Sequence, residues 1–430
     1  MPPTTQPEPS DAISATLARN AISILTWEFF WGIGTPCCLI ATVMPAYLQQ
    51  LGASVTLIQS LMTACAVTAI LMLWSGKLIH GARRRNLSIL YWMSYGGIFI
   101  LYALAALAGF RPGMNWFWIM TFSALCLGQA VLANLAAPVS EEIILQNIPL
   151  RRRGAVLSLR FFLLGLSGIL GFFLAIRLFH LWPIPVNYHV RFLIGGTILS
   201  LSCTSFLGMR DHAAAAYKIS ASASLRAEIK EMIGNFNFRI LLVFHAILMA
   251  ALSLAPLLIT YGRSQLGMQA QADYFTVAFF VGNMLLGVLV APLADRFGFR
   301  LIGGINALVL SLAFICPIIA GRNIWILLFG YCFCGACANL SWLVLANLGS
   351  EILPNFRPSI ILGLGTAITL PLALLIAPLS GVLVDILGLA GYTGAFMIGA
   401  TLSICALIGF AFIIREPRTG QELSIVMRRV

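Results

Sequence analysis

Residues 291–300 read APLADRFGFR, and residues 76–85 read GKLIHGARRR, a similar pattern of small, apolar and basic positions 215 residues earlier. A second repeat agrees with the first, because VLANL occurs at 131–135 and again at 344–348, an offset of 213 residues. Two matching offsets predict a chain made of two related halves. Repeated halves in an apolar chain are typical of membrane proteins whose ligand site lies where the halves meet.

The composition predicts a membrane protein. Hydrophobic residues make up 60% of the chain and charged residues 9%, with a mean hydropathy of +0.95. A soluble domain carries about a quarter charged residues, so this chain cannot cover a water-facing surface. Backbone groups in hydrocarbon must be satisfied within a helix, which needs roughly 20 apolar residues to span a bilayer. Twelve runs qualify: 21–48, 55–79, 87–109, 116–140, 154–178, 190–209, 238–262, 273–294, 301–320, 324–349, 359–384 and 392–414.

Basic residues are concentrated on one side of this predicted bundle. Loops after even-numbered spans and the two tails hold 20 of the 26 Lys and Arg residues, which predicts that both termini are cytoplasmic. This bias and contact with anionic lipid explain the formal net charge of +12. No basic, aromatic-interleaved patch predicts nucleic-acid binding. We expect a multi-pass protein of the cytoplasmic (inner) membrane, in contact with lipid.

The predicted organisation has five parts: a cytoplasmic tail at 1–20, a six-helix bundle at 21–209, a linker at 210–235, a second six-helix bundle at 236–414 and a tail at 415–430. In the linker, Leu225, Ile229, Met232 and Phe236 recur at helical spacing, which predicts a short amphipathic helix on the cytoplasmic face. No cleavable signal peptide is expected, because the first apolar run is too long. The loops are too short for a soluble domain, so function is expected between the helices.

No cofactor and no metal site is predicted. The ten cysteines all fall within predicted spans and are interpreted as small packing residues. Cys332, Cys334 and Cys337 do not share one helical face at 100° per residue. No P-loop, HExxH run or Ser–His arrangement is apparent, so we expect neither an ATP-driven pump nor an intramembrane enzyme.

The segment 293–300, between spans 8 and 9, resembles the loop motif G-x-L-x-D-R-x-G-R-R of the major facilitator superfamily. The first-half copy keeps its glycine, leucine and arginines, with His80 in place of the aspartate. Residues 149–154 before span 5 and 381–388 at the end of span 11 also resemble motifs of that family. The resemblance covers residues 21–414. It implies two pseudo-symmetric six-helix bundles around a central cavity lined by spans 1, 4, 7 and 10.

The resemblance also implies charged contacts that form when the two halves close on the cytoplasmic side. In the first half we expect Glu141 or Glu142 to pair with the arginines at 83–85. In the second half we expect Glu351 to pair with Arg296 or Arg300. The alternative is a static ion cluster that anchors loops. The residues assigned to gating or ion pairs are Arg83, Arg84, Arg85, Glu141, Asp295, Arg296, Arg300, Glu351 and Arg160.

Two stretches depart from certain members of that family. Span 4 reads LCLGQA at 125–130, where many proton-coupled members carry an arginine before the glutamine. Span 5 reads GLSGILG at 165–171, without the Gly-Pro pair typical of drug–proton antiporters. Both departures weigh against a multidrug exporter.

Ionisable residues inside spans are costly and indicate function. Glu28 in span 1 is the clearest case, and we interpret it as a proton-titrating or substrate-binding carboxylate in the central cavity. The competing interpretation is a structural ion pair between Glu28 and Arg160, which lies in span 5. His245 in span 7 suits a proton relay, although a lone histidine on a helix is commonly a packed residue.

Aromatic and amide side chains are candidates for the substrate site, since mixed aromatic and polar linings bind small organic ligands. Interhelical packing is the alternative for each of them. The full candidate set for substrate or proton binding is Glu28, Trp27, Trp31, Gln129, Asn134, His245, Asn339 and Trp342, with Gln59 and Asn283 as further cavity candidates.

The sequence therefore predicts a secondary active transporter that moves a small organic solute by alternating access, coupled to protons if Glu28 titrates. One alternative is an uncoupled facilitator or an efflux pump for amphipathic compounds. A second, from another class, is a transport-inactive sensor or scaffold. No obligate protein partner is expected.

Overall fold

The computed structural model describes residues 11–39, 42–78, 84–147, 150–209, 225–267, 272–354, 356 and 358–417. Helices account for most of these ranges, and no strand occurs within them. The helices are α1 Asp11–Gly34, α2 Val43–Gln50, α3 Val55–Val67, α4 Met72–Leu78, α5 Arg84–Gly109, α6 Asn115–Asn147, α7 Leu150–Leu181, α8 Val186–Ser202, α9 Leu225–Gly234, α10 Phe236–Leu252, α11 Pro256–Gln265, α12 Ala272–Phe297, α13 Phe299–Ala320, α14 Ile324–Ile352, α15 Pro358–Leu387 and α16 Leu389–Ile408.

Eleven helical stretches of the described ranges are long and apolar enough to cross a membrane. They correspond to predicted spans 2 to 12, and the predicted first span at 21–48 falls in α1 and α2. The expected all-α membrane protein is therefore confirmed, with a helix count close to the predicted twelve.

Three of the spans are interrupted. The first is divided between Gly34 and Val43, the second contains a 3₁₀ segment at Thr68–Leu71, and the seventh turns at 253–255 between α10 and α11. Irregular backbone at membrane depth is tolerated where protein surrounds it. The turn in span 7 satisfies this condition, since Leu254 is fully buried.

Local sequence signals account for several helix boundaries. The Asn235 side chain accepts a hydrogen bond from the Phe238 amide and caps α10, and Asn323 caps α14 in the same way through the Trp325 amide. Gly298 separates α12 from α13 with φ +82°, a left-handed backbone that a glycine adopts without strain. The glycine of the 293–300 motif is thus explained by this turn.

Helices α1–α8 form an N-terminal half and α10–α16 a C-terminal half, each around its own buried apolar clusters. The halves meet along two seams, α7 against α12 and α3–α4 against α15. Close approach needs glycine there: a Cβ on Gly363 would lie 2.8 Å from the Leu73 amide nitrogen, and one on Gly165 would lie 2.9 Å from the Met284 Cα. Small residues of this kind let helix backbones approach closely in membranes.

The short helix α9 lies within the predicted linker at 210–235, directly before α10. The rest of that linker up to residue 224, and parts of both predicted tails, lie outside the described residues, so the domain boundaries stay predictions. The bundle end at which α6, α12 and α14 finish is called the basic end here, after the arginines of the adjoining loops. The opposite end is called the far end.

Candidate functional site: a buried ion cluster between the halves

Glu28, Arg160 and Glu141 form one buried cluster that joins three helices. Glu28 on α1 is 2% exposed and Arg160 on α7 is 7% exposed. Arg160 donates through Nε to Glu28 Oε1, and its Nη1 lies 2.7 Å from Glu141 Oε1 on α6. One guanidinium therefore serves two carboxylates. With both carboxylates ionised, the cluster carries a net charge of −1.

Glu141 has a partner that was not expected from the sequence. The sequence predicts that Glu141 shares a helical face with Asn134 and pairs with the arginines at 83–85. Helix α6 continues to Asn147, so Glu141 lies inside the helix, and it reaches Arg160 on α7. The two residues are distant in the sequence, and the arrangement of α6 and α7 in the bundle brings them together.

Aromatic rings lie against the cluster. The Arg160 guanidinium lies 5.4 Å from the centre of the Trp27 ring and 5.7 Å from that of Phe161, distances at which a cation is attracted to a ring face. Trp27 and Trp31 also pack on each other at 5.6 Å, within an aromatic group of the N-terminal half. These two tryptophans therefore support the cluster from within one half.

A cavity of about 50 Å³ lies beside the cluster and spans the boundary between the halves. The N-terminal half contributes Glu141, Arg160 and Phe161 to its lining. Helix α14 of the C-terminal half contributes the rest: Asn339, Trp342, Leu343, Ala346 and Asn347. The structure thus brings the predicted residues Asn339 and Trp342 next to Glu141 and Arg160.

Two asparagines of this lining have fixed orientations. Asn339 donates through Nδ2 to Asn283 Oδ1 at 2.8 Å, and Asn347 donates through Nδ2 to the Leu343 carbonyl at 2.9 Å. Beyond these bonds, each amide keeps a second N–H donor and its carbonyl oxygen, which is an acceptor. The C-terminal wall of the cavity therefore offers amide groups and an indole, and none of its described lining residues is charged.

Hydrogen bonds between the halves are present at both ends of the bundle. At the basic end, Ser359 donates to Glu142 Oε2 at 2.8 Å. At the far end, Arg263 of α11 donates to the Ala46 carbonyl and, at 3.1 Å, to Gln50 Oε1 of α2. The far-end contacts also include Thr42 with Thr276 at 2.8 Å and the Thr56 amide with Asp385 Oδ2 at 2.9 Å. Direct contacts therefore join the halves at both ends of the bundle.

The far-end contacts were not predicted from sequence. Arg263 stands at the end of a predicted span, and nothing in the local pattern separates it from other interfacial arginines. Asp385 lies in the segment 381–388, which provided the only sequence signal for this end.

Two arginines of the repeated loop motif make equivalent contacts within their own halves. Arg85 donates through Nη1 to the Met209 carbonyl at 2.7 Å, where span 6 ends. Arg300, its counterpart 215 residues later, donates to the Phe410 carbonyl at 3.1 Å and the Ala411 carbonyl at 2.7 Å, where span 12 ends. The last carbonyls of a helix lack intrahelical partners and attract cations. Arg85 and Arg300 therefore cap helix ends, and the pairings expected with Glu141 or Glu142 and with Glu351 stay predictions.

The other residues assigned to gating are placed as follows. Arg83 lies outside the described residues, as do the side chains of Arg84 and Asp295. The Arg296 guanidinium lies 5.0 Å from the centre of the Phe297 ring and is exposed. The pairing of Glu351, on α14 one helical turn beyond Asn347, stays a prediction.

Three further candidates lie away from the described cavity lining. Asn134 donates to Thr68 Oγ1 at 2.7 Å and thereby joins α6 to span 2 within the N-terminal half. Gln129 is 1% exposed, and its Nε2 has no hydrogen-bond partner among the described residues. His245 is 3% exposed on α10, and its Nδ1 likewise lacks a partner in the described part of the chain.

Comparison with solved structures defines the class of fold. A mutant of the nucleoside transporter NupG is 12% identical, with a TM-score of 0.65 over 92% of this chain and 100% of that one. A D-xylose–proton symporter is 14% identical, with a TM-score of 0.67 over 92% of this chain and 98% of that one. The E. coli fucose:proton symporter FucP, also as a mutant, is 15% identical, with a TM-score of 0.61 over 92% of this chain and 99% of that one.

The chain therefore has the fold of the major facilitator superfamily transporters, as the loop motifs predict. The sequence itself matches no family model and no curated protein. At such low identity the likeness establishes the fold and leaves the chemistry of the site to its own residues.

Proposed function

We propose that this protein is a secondary transporter that moves a small organic solute across the cytoplasmic membrane by alternating access, and that proton binding at the Glu28–Arg160–Glu141 cluster drives it. The observation that carries the proposal is a pair of carboxylates, one buried and one partly buried, sharing one guanidinium at the boundary between the halves. One bound proton makes this cluster neutral. A buried net charge is expensive, so gain and loss of that proton favour different arrangements of the halves.

The two carboxylates have different environments, which suggests different roles. The Glu28 side chain is 3% exposed and the Glu141 side chain 16% exposed. Glu141 also lines the cavity, whereas Glu28 does not. We assign the exchangeable proton to Glu141, and we assign to Glu28 the role of holding Arg160 in place. The sequence-based hypothesis that Glu28 itself titrates stays the alternative to this assignment.

Alternating access is supported by contacts at both ends of the bundle. Ser359–Glu142 at the basic end and Arg263 with α2 at the far end would break in turn as each side opens. Proton coupling is further supported by the fold, which is shared with a D-xylose–proton symporter and a fucose:proton symporter. The excess of basic residues at one end supports placing both termini in the cytoplasm.

The test begins with proton binding, which requires no known substrate. Purified protein in weakly buffered detergent is shifted between pH 8.5 and pH 5.5, and the bound protons are counted for the wild type, Glu141→Gln and Glu231→Gln. Glu231 lies exposed on α9, outside the bundle, so its substitution is a control that removes one solvent-exposed carboxylate. We expect Glu141→Gln to remove a proton whose uptake also changes the protein's thermal stability, and Glu231→Gln to leave that stability change intact.

Transport is then measured in proteoliposomes with solutes that raise the thermal stability of the protein. Accumulation of a solute against its gradient, driven by a pH difference and abolished in Glu141→Gln, is the expected result. Equilibration that ignores the pH difference would instead identify a facilitator. Absence of any stabilising solute, together with a pH effect on stability that is the same in Glu141→Gln as in the wild type, would favour a transport-inactive scaffold.

A further inference from the structure

The cavity beside Glu141 combines one carboxylate with aromatic rings and amide acceptors. Phe161 and Trp342 belong to opposite halves, and both line the cavity together with Glu141. Asn339 and Asn347 each use one Nδ2 hydrogen elsewhere, and each offers a carbonyl oxygen as an acceptor. Ring faces, a carboxylate and carbonyl oxygens all attract N–H donors that carry positive charge.

The charge of the cluster restricts what can bind next to it. Arg160 neutralises one carboxylate, and the second leaves a charge of −1 that one proton or one monovalent cation balances. An organic anion would add to this buried negative charge. A neutral solute would leave the charge uncompensated unless a proton stays on Glu141.

The guanidinium of Arg160 is itself a planar organic cation, and the cluster accommodates it between carboxylates and aromatic rings. Its guanidinium lies near the faces of Trp27 and Phe161 while it contacts both carboxylates. It reaches Glu28 through Nε and Glu141 through a terminal nitrogen. Glu141 is therefore able to exchange this partner for another cation while Arg160 stays bound to Glu28.

We infer that the substrate is a monovalent organic cation bearing an ammonium or guanidinium group, which binds at Glu141 against Trp342 and leaves when Glu141 takes up a proton. This inference rests on the proposed function and names the substrate class of the same site. Proton and cation occupy one carboxylate, so the loaded site is neutral in either case. The transporter accordingly exchanges one cation for one proton across the membrane.

Among the side chains that the structure describes, the other charged groups on helices packed against α6 have partners of their own. Arg85 on α5 is engaged with the Met209 carbonyl, and Glu142 accepts from Ser359 of α15. Glu28 and Arg160 are the charged side chains from α1 and α7 in the cluster, among those that the structure describes.

The cavity must widen before such a cation enters. Its volume of about 50 Å³ is below the roughly 150 Å³ of an engineered cavity that admits benzene. Because Phe161 and Trp342 lie on opposite halves, separation of the halves increases the space between them. Entry is thus linked to the opening of one end of the bundle.

The experiment uses cations with neutral isosteres as probes. Benzylammonium is paired with benzyl alcohol and phenylguanidinium with phenylurea, and thermal stabilisation and proton release are recorded at pH 8 and pH 5.5. We expect at least one cation to stabilise the wild type at pH 8. Where Glu141 carries a proton, cation binding should release about one proton per bound molecule and weaken up to tenfold per pH unit of acidification.

Variants separate the site from general effects on folding. Glu141→Gln is expected to abolish cation binding, and Trp342→Leu to weaken it by about two- to thirtyfold, the factor that 0.5–2 kcal/mol of cation–ring attraction corresponds to. The matched control is Trp325→Leu on the same helix, a residue 77% exposed on the bundle surface, which should bind the cation as the wild type does.

Equal stabilisation by the neutral isosteres, or no stabilisation by either cation at pH 8, would overturn the inference. Neither result would contradict the proposed function. The proposed function fails separately if Glu141→Gln leaves proton uptake, and the effect of that uptake on thermal stability, unchanged. A neutral solute whose accumulation follows the pH difference would retain proton coupling and replace exchange with cotransport.

Discussion

The two halves share one architecture and differ in charge. In both, an arginine of the repeated loop caps the end of the last span, Arg85 at Met209 and Arg300 at Phe410 and Ala411. Around the cavity the halves diverge, because the N-terminal half provides two carboxylates and a guanidinium, whereas the C-terminal half provides amides and an indole. The repeat therefore preserves what holds each half together, while the residues that carry the chemistry differ.

The largest effect is expected from removing the cation of the N-terminal half. Arg160→Met leaves two buried carboxylates without a partner, a situation that costs about 3–5 kcal/mol of stability. Acid relieves the loss by protonating them, so the variant should be markedly less stable at pH 8 than at pH 5.5. Thermal unfolding at both pH values measures this, and adding Glu28→Gln should restore part of the stability. If Arg160→Met lost the same stability at both pH values, the result would contradict the conclusion that Arg160 neutralises the two carboxylates.

Substitutions of two glycines, one at a seam between the halves and one away from it, test how closely the halves pack. Gly363→Ala places a methyl group against the Leu73 backbone and should cost about 1–3 kcal/mol or separate the halves at that point. Gly97→Ala is the control, since nothing lies within 4 Å of its added carbon, and it should be neutral or stabilising by up to about 1 kcal/mol. Thermal unfolding and cysteine crosslinking across the seam compare the two variants. Equal effects would argue against close packing at the seam.

The arginine caps provide a direct comparison of the halves. Arg300→Gln removes bonds to two carbonyls and Arg85→Gln removes a bond to one, so we expect losses of about 1–2 and about 1 kcal/mol respectively, after allowance for solvent at these partly exposed sites. Thermal unfolding of both variants measures the difference. A larger loss for Arg85→Gln would show that contacts other than these carbonyls dominate.

The smallest effect concerns the two asparagines of the VLANL repeat. Asn134→Ala loses its bond to Thr68 and should lower stability by about 1 kcal/mol without changing ligand affinity. Asn347→Ala keeps stability close to that of the wild type and should weaken ligand binding, because Asn347 lines the cavity. Unfolding and binding measured on both variants separate the roles. If Asn347→Ala lowered stability and left ligand affinity unchanged, Asn347 would not belong to the ligand site.

Sequence reasoning gave the membrane class, the repeat and nearly all the span positions, since these depend on apolar length and repeated residues. It also anticipated the contact between Glu28 and Arg160 as one of two alternatives. Glu141 was assigned to the arginines at 83–85, because no local pattern shows that Arg160 on a helix distant in sequence reaches its carboxylate. The far-end bonds of Arg263 depend on how α2 and α11 meet, and no local pattern encodes that contact.

The interruptions of spans 1 and 7 bear on how fast each end opens. At the far end, the contacts of Arg263 join α2 and α11, which are short helices of 8 and 10 residues. Non-helical residues separate α11 from α10, and the interruption of span 1 separates α2 from α1. At the basic end, the bond between Glu142 and Ser359 lies on long helices without a break, of 33 and 30 residues. A short segment reorients with less rearrangement of its neighbours than a full helix does. We therefore expect the far end to open and close more rapidly, and movement of α6 and α15 to set the turnover rate.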